Sequence, residues 1–407
     1  MERPRFASLQ GAFHPRDDAK HAAPAKNKEK NVPPLQKAKA QGYGKHTMSS
    51  FATSGRVFVL GAGASAFAGY PLASGLLRFI RDFQSLEVMT KQIASRVLDK
   101  LNQAEFLFNK HIIRDPNRVP NLEELLTYLE LYRSFPGTIF AANPWDSSDS
   151  AAIRRVITEK FLEYQYDLQK SAWGSGTALA SVATRINEIR KVAEAWPKLL
   201  KPGDVILTFN WDILHEVILW RSGLWSYRDG YGFQCGAQGE REDCSQVLIL
   251  KLHGSVNWVQ EDDYDPVTEV ANVPDFFVNS KDWAPRSHYS QAQTDSGRKL
   301  VLPTYLKDIS SNRALLDVWT RAHLFIREAK QFFVLGYSLN RVDHPARLLF
   351  GTALSENGAL KEVTVVSPDA TQWATFLTQL TKEMIRVRQK FEEWVFAASG
   401  SNPSAPA

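Results

Sequence analysis

Cysteine is almost absent from this 407-residue chain: Cys235 and Cys244, both in one polar stretch, are its only two. They cannot build a disulfide framework, and with no CxxC pair nothing is set up to hold a structural zinc. A reducing cytoplasm is the compartment this usage fits. Long hydrophobic runs are missing too. No apolar stretch approaches the ~20 residues that a membrane-spanning helix needs, so no span is expected. The early positive charges are not followed by the apolar core of a secretory signal. A basic character is also absent from most of the chain. Residues 1–50 hold ten Lys or Arg against four Asp or Glu, which leaves 39 bases against 40 acids in the rest. The basic charge therefore belongs to the tail, and it gives no argument that the folded part binds nucleic acid.

What is present is the composition of an ordinary globular protein, 44% hydrophobic and 23% charged. Residues 1–50, rich in Lys, Ala, Pro, Asn and Gln, have no apolar period and read as disordered. Three readings stay open for them: an inert extension, a weak electrostatic arm, or a start of translation at Met48. Order begins at Arg56. Val57-Phe58-Val59-Leu60 is a short continuous apolar run, and similar runs follow at 204–208, 247–250, 332–335 and 363–366. Runs apolar at every position suit strands buried on both faces of a parallel sheet. Between the first two runs, residues 85–134 and 151–200 repeat apolar residues at helical spacing, as in Leu122, Leu125, Leu126 and Leu129. Asn121 is placed to cap the helix that Glu123 and Glu124 begin. Stretches at about 222–246 and 259–299 read as long loops, and 371–396 as one more helix. The expected fold is α/β: a Rossmann-like parallel sheet with helices on both faces, plus an inserted helical module. The expected layout is a disordered basic tail over 1–50, a nucleotide-binding domain from 51–83 and 200–396, the helical module over 84–199, and a loose tail over 397–407.

Most of the apolar runs stop on a small or polar residue, where ligands sit in open α/β sheets. After the first comes Gly61-Ala62-Gly63-Ala64-Ser65, then Gly69-Tyr70-Pro71. A glycine loop here lets backbone approach a diphosphate, although a plain tight turn has the same sequence. The third glycine of GxGxxG is replaced by Ala66, and no acid follows ~20 residues on in strand context, so a dehydrogenase reading is poorly supported. After the second run comes Thr208-Phe209-Asn210-Trp211-Asp212. Asn210 and Asp212, two apart in extended backbone, share a side. The amide suits a ribose hydroxyl or a water; the carboxylate suits either a developing cation or the capping of the helix at 213–217. His253, before Gly254 at the end of another run, is the residue type whose pKa suits a general base. Of nine histidines, His14, His21 and His46 fall in the tail, His215 reads as packing, and His344 stays undecided. Gly336-Tyr337-Ser338-Leu339, with Asp343 beyond, and Ser367-Pro368-Asp369 close the set.

In this order the motifs resemble those of the sirtuin (silent information regulator) family. Residues 61–71 are similar to its GAG-x-S-x-x-x-G-I-P, with Tyr70 for Ile. Residues 208–212 are similar to T-Q-N-x-D, with Phe209 for Gln; His253-Gly254 to its catalytic histidine; Gly336 to Leu339 to its G-T-S-L; and Ser367 stands where its adenosine-contacting asparagine does. The departures are Leu72-Ala73-Ser74 in place of D-F-R, and the missing zinc ribbon. Together with Asn121 to Leu126, Leu302-Pro303-Thr304-Tyr305 and Trp319, they look like the sirtuin-like NADases of bacterial anti-phage systems. The resemblance implies NAD as substrate, no metal, Asn210, His253 and Asp212 as catalytic residues, and Gly61, Ala62, Gly63, Ala64, Ser65, Gly69, Pro71, Phe209, Gly336, Ser338 and Ser367 as NAD contacts. Because such an effector must be silent in healthy cells, a homo-oligomer or an activating partner such as an ATPase is expected, and no membrane. An NAD-dependent deacylase and a non-catalytic sensor of NAD or ADP-ribose are the competing readings.

Overall fold

Each of the five continuous apolar runs becomes a strand of one sheet. The computed structural model describes residues 51–82, 88–110, 120–134, 145, 147–174, 183–226, 229–232, 245–259, 298–304, 307, 309, 313–341, 343–380 and 382–401. Its strands are β1 (Arg56–Leu60), β2 (Val205–Thr208), β3 (Leu248–Lys251), β4 (Gly254–Val259), β5 (Arg298–Leu300), β6 (Gln331–Leu335), β7 (Glu362–Val366) and β8 (Ile385–Val387). Its α-helices are α1 (Leu76–Arg81), α2 (Val88–Phe108), α3 (Leu122–Ser134), α4 (Ser147–Trp173), α5 (Ile186–Leu199), α6 (Leu214–Arg221), α7 (Arg313–Glu328), α8 (His344–Ser355), α9 (Thr371–Gln379) and α10 (Phe391–Ser399).

The main sheet has the order β3-β2-β1-β6-β7-β8, and every neighbouring pair in it is parallel. Successive side chains in a strand point to opposite faces, so both faces need cover. Phe58 and Phe333 are register partners whose rings stack at 4.7 Å on one face. Trp196 of α5 and Trp394 of α10 cover them there. Phe332, one residue along, points the other way and meets Phe350 of α8 and Trp373 of α9. Burying side chains of this size stabilises the fold by about 1.5–3 kcal/mol each. The architecture is thus a doubly covered, Rossmann-like parallel sheet. A separate antiparallel pair, β4 with β5, lies outside it.

From β1 the chain runs through α1–α5 to β2 on one side, and from β5 through α7 to β6 on the other. The strand order therefore diverges at β1 and β6. In open α/β sheets the loops at the carboxyl ends of such a pair part and leave a crevice.

The helix start read at Asn121 forms as a reciprocal cap. Asn121 Oδ1 accepts from the Glu124 N–H at 2.8 Å, and the Glu124 carboxylate accepts from the Asn121 N–H at 3.0 Å. The single helix read over 371–396 is corrected: α9 ends at Gln379, β8 adds to the sheet, and α10 begins at Phe391. The segment from Ile385 to Val387 pairs in parallel with Thr364 to Val366, where the edge of β7 offers unpaired backbone groups. Sheet pairing outweighs the helical tendency of so short a stretch. Of the stretches read as loops at about 222–246 and 259–299, residues 227–228, 233–244 and 260–297 lie outside the described residues, as do both cysteines and the tail over 1–50. The ends of the second stretch pair as β4 and β5, and α10 runs to Ser399, into the tail read over 397–407.

Candidate active site

Part of the sequence-predicted set lies at the carboxyl edge of β1, β2, β3 and β6, in two groups. The first is built on the glycine loop. Gly61 and Gly63 donate N–H bonds to Leu335 O and Gly336 O at 3.1 and 3.0 Å, which draws the β1 and β6 loops into direct contact. A Cβ on Gly61 would fall 2.5 Å from Tyr337 Cα, and one on Gly336, held at φ +64°, would fall 2.5 Å from Ala64 N. Glycine is required at both positions by this backbone-on-backbone packing. Ala64 and Ser65 donate their N–H groups to Gly61 O and Ala62 O. Of residues 61–65, Ala62 alone keeps an amide outside these bonds, so the loop is a tight shelf rather than a row of free donors. Leu339, just beyond Ser338, is buried with φ +53°, a left-handed conformation costly for a branched side chain.

Asn210 stands over this shelf. Its Nδ2 donates to Gly61 O at 3.0 Å and to Ser65 Oγ at 3.1 Å. Ser65 in turn donates to Asp212 Oδ1 at 3.2 Å, and the same oxygen accepts from the Leu214 N–H at 3.1 Å. Asp212 therefore steadies Ser65, which accepts from Asn210, and takes the Leu214 N–H at the start of α6, where Ile213 rather than Asp212 is the N-cap. Burial raises the Asp212 pKa, and Lys251 opposes that rise. Lys251 was not singled out by sequence, although a lysine closing the run Val247 to Leu250 is a visible break in pattern. It is fully buried, lies 2.8 Å from Glu216 Oε1, and donates to Asp212 O. His215 packs beside them, with Nε2 3.2 Å from Ala64 O, which makes that nitrogen the protonated one because a carbonyl only accepts. Burial lowers its pKa to about 3, so His215 is a neutral packing residue, as read.

The second group surrounds His253. Its ring meets Phe209 edge-on at 5.0 Å, and Phe209 stacks on Tyr337 at 4.3 Å. The chain on either side is pinned: Trp319 Nε1 donates to Leu252 O at 2.7 Å, and Val301 N–H to His253 O at 3.0 Å. His253 Nε2 is buried with no hydrogen-bond partner among the described residues. Burial lowers the His253 pKa to about 4, with Lys307 adding to the fall and Asp343 opposing it. Tyr337 donates its hydroxyl to Asp343 Oδ2 at 3.1 Å, and Lys307 Nζ donates to Asp343 Oδ1 at 2.9 Å. Burial alone would raise the Asp343 pKa, yet it is lowered by the cationic neighbours. The lowering comes from His253 and Lys307 nearby and from the hydrogen bonds donated by Lys307 and Tyr337.

Other expected contacts are less engaged. Gly69 adopts φ +95° and turns the chain against Arg185 and Tyr164. Pro71 is half-buried and Ser338 is exposed. Ser367 lies at the end of β7, with its hydroxyl donated to Asp369 O at 2.8 Å. His344 is exposed at the first turn of α8. Among the described residues no cluster of three or more His, Cys, Asp or Glu is placed to hold a metal ion, and no helix is long and apolar enough to cross a membrane.

No family model matches the sequence, and no curated protein matches it. Solved structures similar to this chain include a Sir2 homologue in complex with NAD, at 16% identity over 85% of this chain and 88% of that one, with a TM-score of 0.36. A mutant Sir2 homologue in complex with ADP-ribose is 15% identical over 85% and 90% of the two chains, with a TM-score of 0.36. Another mutant, in complex with 2'-O-acetyl ADP ribose, is 15% identical over the same shares, with a TM-score of 0.35. Overlaps this low assign no activity. The Rossmann-like fold rests on the strand order and pairing described above.

Proposed function

We propose that this chain hydrolyses NAD at the bond between nicotinamide and ribose, releasing nicotinamide and ADP-ribose. The observation that carries the reading is that Asn210 and His253, both buried, follow the neighbouring strands β2 and β3, with His253 Nε2 free of a hydrogen-bond partner among the described residues. When the bond breaks, its electron pair goes to the nicotinamide nitrogen, which leaves uncharged and needs no acid. Positive charge develops on the ribose, as in glycoside hydrolysis. Water attacks the ribose carbon, and its proton passes to His253 or to solvent. Asn210 places its amide beside the ribose hydroxyls or the water, and Asp212 holds Ser65 and Asn210 in register beneath it. The shelf of residues 61–65, with Gly336 and Ser338, receives the diphosphate, and Ser367 the adenosine end. An effector that exhausts NAD in anti-phage defence, held silent by self-assembly or by a partner such as an ATPase, is the biological setting this chemistry fits.

The test is nicotinamide release from NAD with no acylated peptide present. Release by the wild type, lost in His253→Ala and Asn210→Ala, supports hydrolysis. Turnover that depends on an acylated peptide and yields O-acyl-ADP-ribose would make the chain a deacylase instead.

A further inference from the structure

We propose that Lys307 is a positioning residue for His253, acting through Asp343, Tyr337 and Phe209, and that Glu123 of α3 anchors it from the helical region. The path is continuous. Lys307 Nζ bonds Asp343 Oδ1 at 2.9 Å, and the second oxygen of that carboxylate accepts the Tyr337 hydroxyl at 3.1 Å. The Tyr337 ring lies flat on Phe209 at 4.3 Å, and Phe209 supports the His253 ring at 5.0 Å. On its far side Lys307 lies 3.5 Å from Glu123 Oε1, while Asn340 Nδ2 donates to Glu123 Oε2 at 3.5 Å. Glu123 is itself fixed, because it occupies the first turn of a helix whose start is locked by the Asn121–Glu124 cap.

The chemistry explains why a lysine is needed. The Lys307 side chain is 2% exposed, and a buried ammonium persists only when paired. Between two carboxylates it holds the Asp343 carboxylate in place, one oxygen on the ammonium and the other accepting the Tyr337 hydroxyl. Removing the ammonium frees Asp343, releases Tyr337 and loosens the aromatic wall behind His253. Among the described residues, the charged and titratable groups facing this wall are Lys307, Asp343 and Glu123, with Arg347 near Tyr337. Phe209 and Trp319 bring no charge. The same path joins α3, far earlier in the chain, to the β3 loop that carries His253. It gives the helical region a direct mechanical and electrostatic hold on the site.

Nuclear magnetic resonance of the His253 imidazole tests this without relying on turnover. In the full-length protein the His253 titration midpoint should rise in Lys307→Met, fall in Asp343→Asn, and stay at the wild-type value in Lys307→Arg, which keeps the charge. Met matches the volume of the lysine stem, so a folded Lys307→Met protein with an unmoved midpoint overturns the proposal. Should Lys307→Met fail to fold, Lys307→Arg and Asp343→Asn still decide it, since equal midpoints in wild type and Asp343→Asn contradict it. The proposal also rests in part on the NAD reading. With NAD as substrate, Lys307→Met should lower kcat with little change in KM, and Lys307→Arg should restore it. Opposite midpoint shifts with no NAD turnover by the wild type would uphold the positioning role and sink the hydrolase reading alone.

Discussion

Substituting Gly336 by alanine tests the loop packing on which the site is built. At φ +64° an alanine would sit in the left-handed region, at a cost of about 1–2 kcal/mol. Its Cβ would also lie 2.5 Å from Ala64 N and 2.6 Å from Gly63 C, both backbone atoms that cannot swing aside. Overpacking of this kind costs about 1–3 kcal/mol more. The expected loss is therefore about 2–5 kcal/mol, the sum of strain and overlap. Two other glycines separate these causes. Gly223 has φ +74° with nothing within 4 Å of a built Cβ, so Gly223→Ala should show the strain alone. Gly358 has open space and no positive φ, so Gly358→Ala should change stability by no more than about 0.5 kcal/mol. Urea unfolding followed by tryptophan fluorescence gives all three as midpoint shifts. If Gly336→Ala costs no more than Gly223→Ala, the loops do not pack as described. The glycines would then have to be explained by a ligand alone.

Three further outcomes are expected. Lys251→Met strands Glu216 in the core without its partner, which should cost about 3–5 kcal/mol, while Lys251→Met with Glu216→Leu should recover most of it; equal losses in the single and double variants would contradict a buried pair. His215 and His253 are held neutral in the fold, with pKa values lowered to about 3 and about 4. The unfolded chain, titrating near 6.5, takes up protons that the folded one refuses, so stability is whole above about pH 6.5 and drains below it, by about 1.4 kcal/mol per pH unit for each group. The drain should stop near pH 4 for His253 and near 3 for His215. Unfolding measured from pH 7 to 5 should show this slope, and His215→Gln should reduce it; a flat wild-type profile would refute it. For the same reason kcat/KM on NAD should stay level between about pH 5.5 and 7.5, where an ordinary histidine base would show a fall near 6.5.

Much of this fold was legible because buried parallel strands leave continuous apolar runs, and Val57 to Leu60 or Phe332 to Leu335 have no other good use. The cap at Asn121 was legible because capping is local. What escaped was the pairing between distant parts. Nothing near Ile385 in sequence reveals that an open strand edge at Val363 to Val366 awaits it. Lys307 looks like any surface lysine, and Lys251 shows only as a break after an apolar run, until the fold buries them against Asp343 and Glu216. The glycine loop was placed correctly, yet its reason was only half visible. Gly61 and Gly63 owe their identity to the β6 loop pressed against them, and most of the amides there are already engaged.

The most direct test of the account is mass spectrometry of NAD after incubation with the purified full-length protein, wild type against His253→Ala. The account predicts equal amounts of nicotinamide and ADP-ribose from the wild type and intact NAD from the variant. NAD recovered whole from the wild type, or nicotinamide released equally by both proteins, would contradict it.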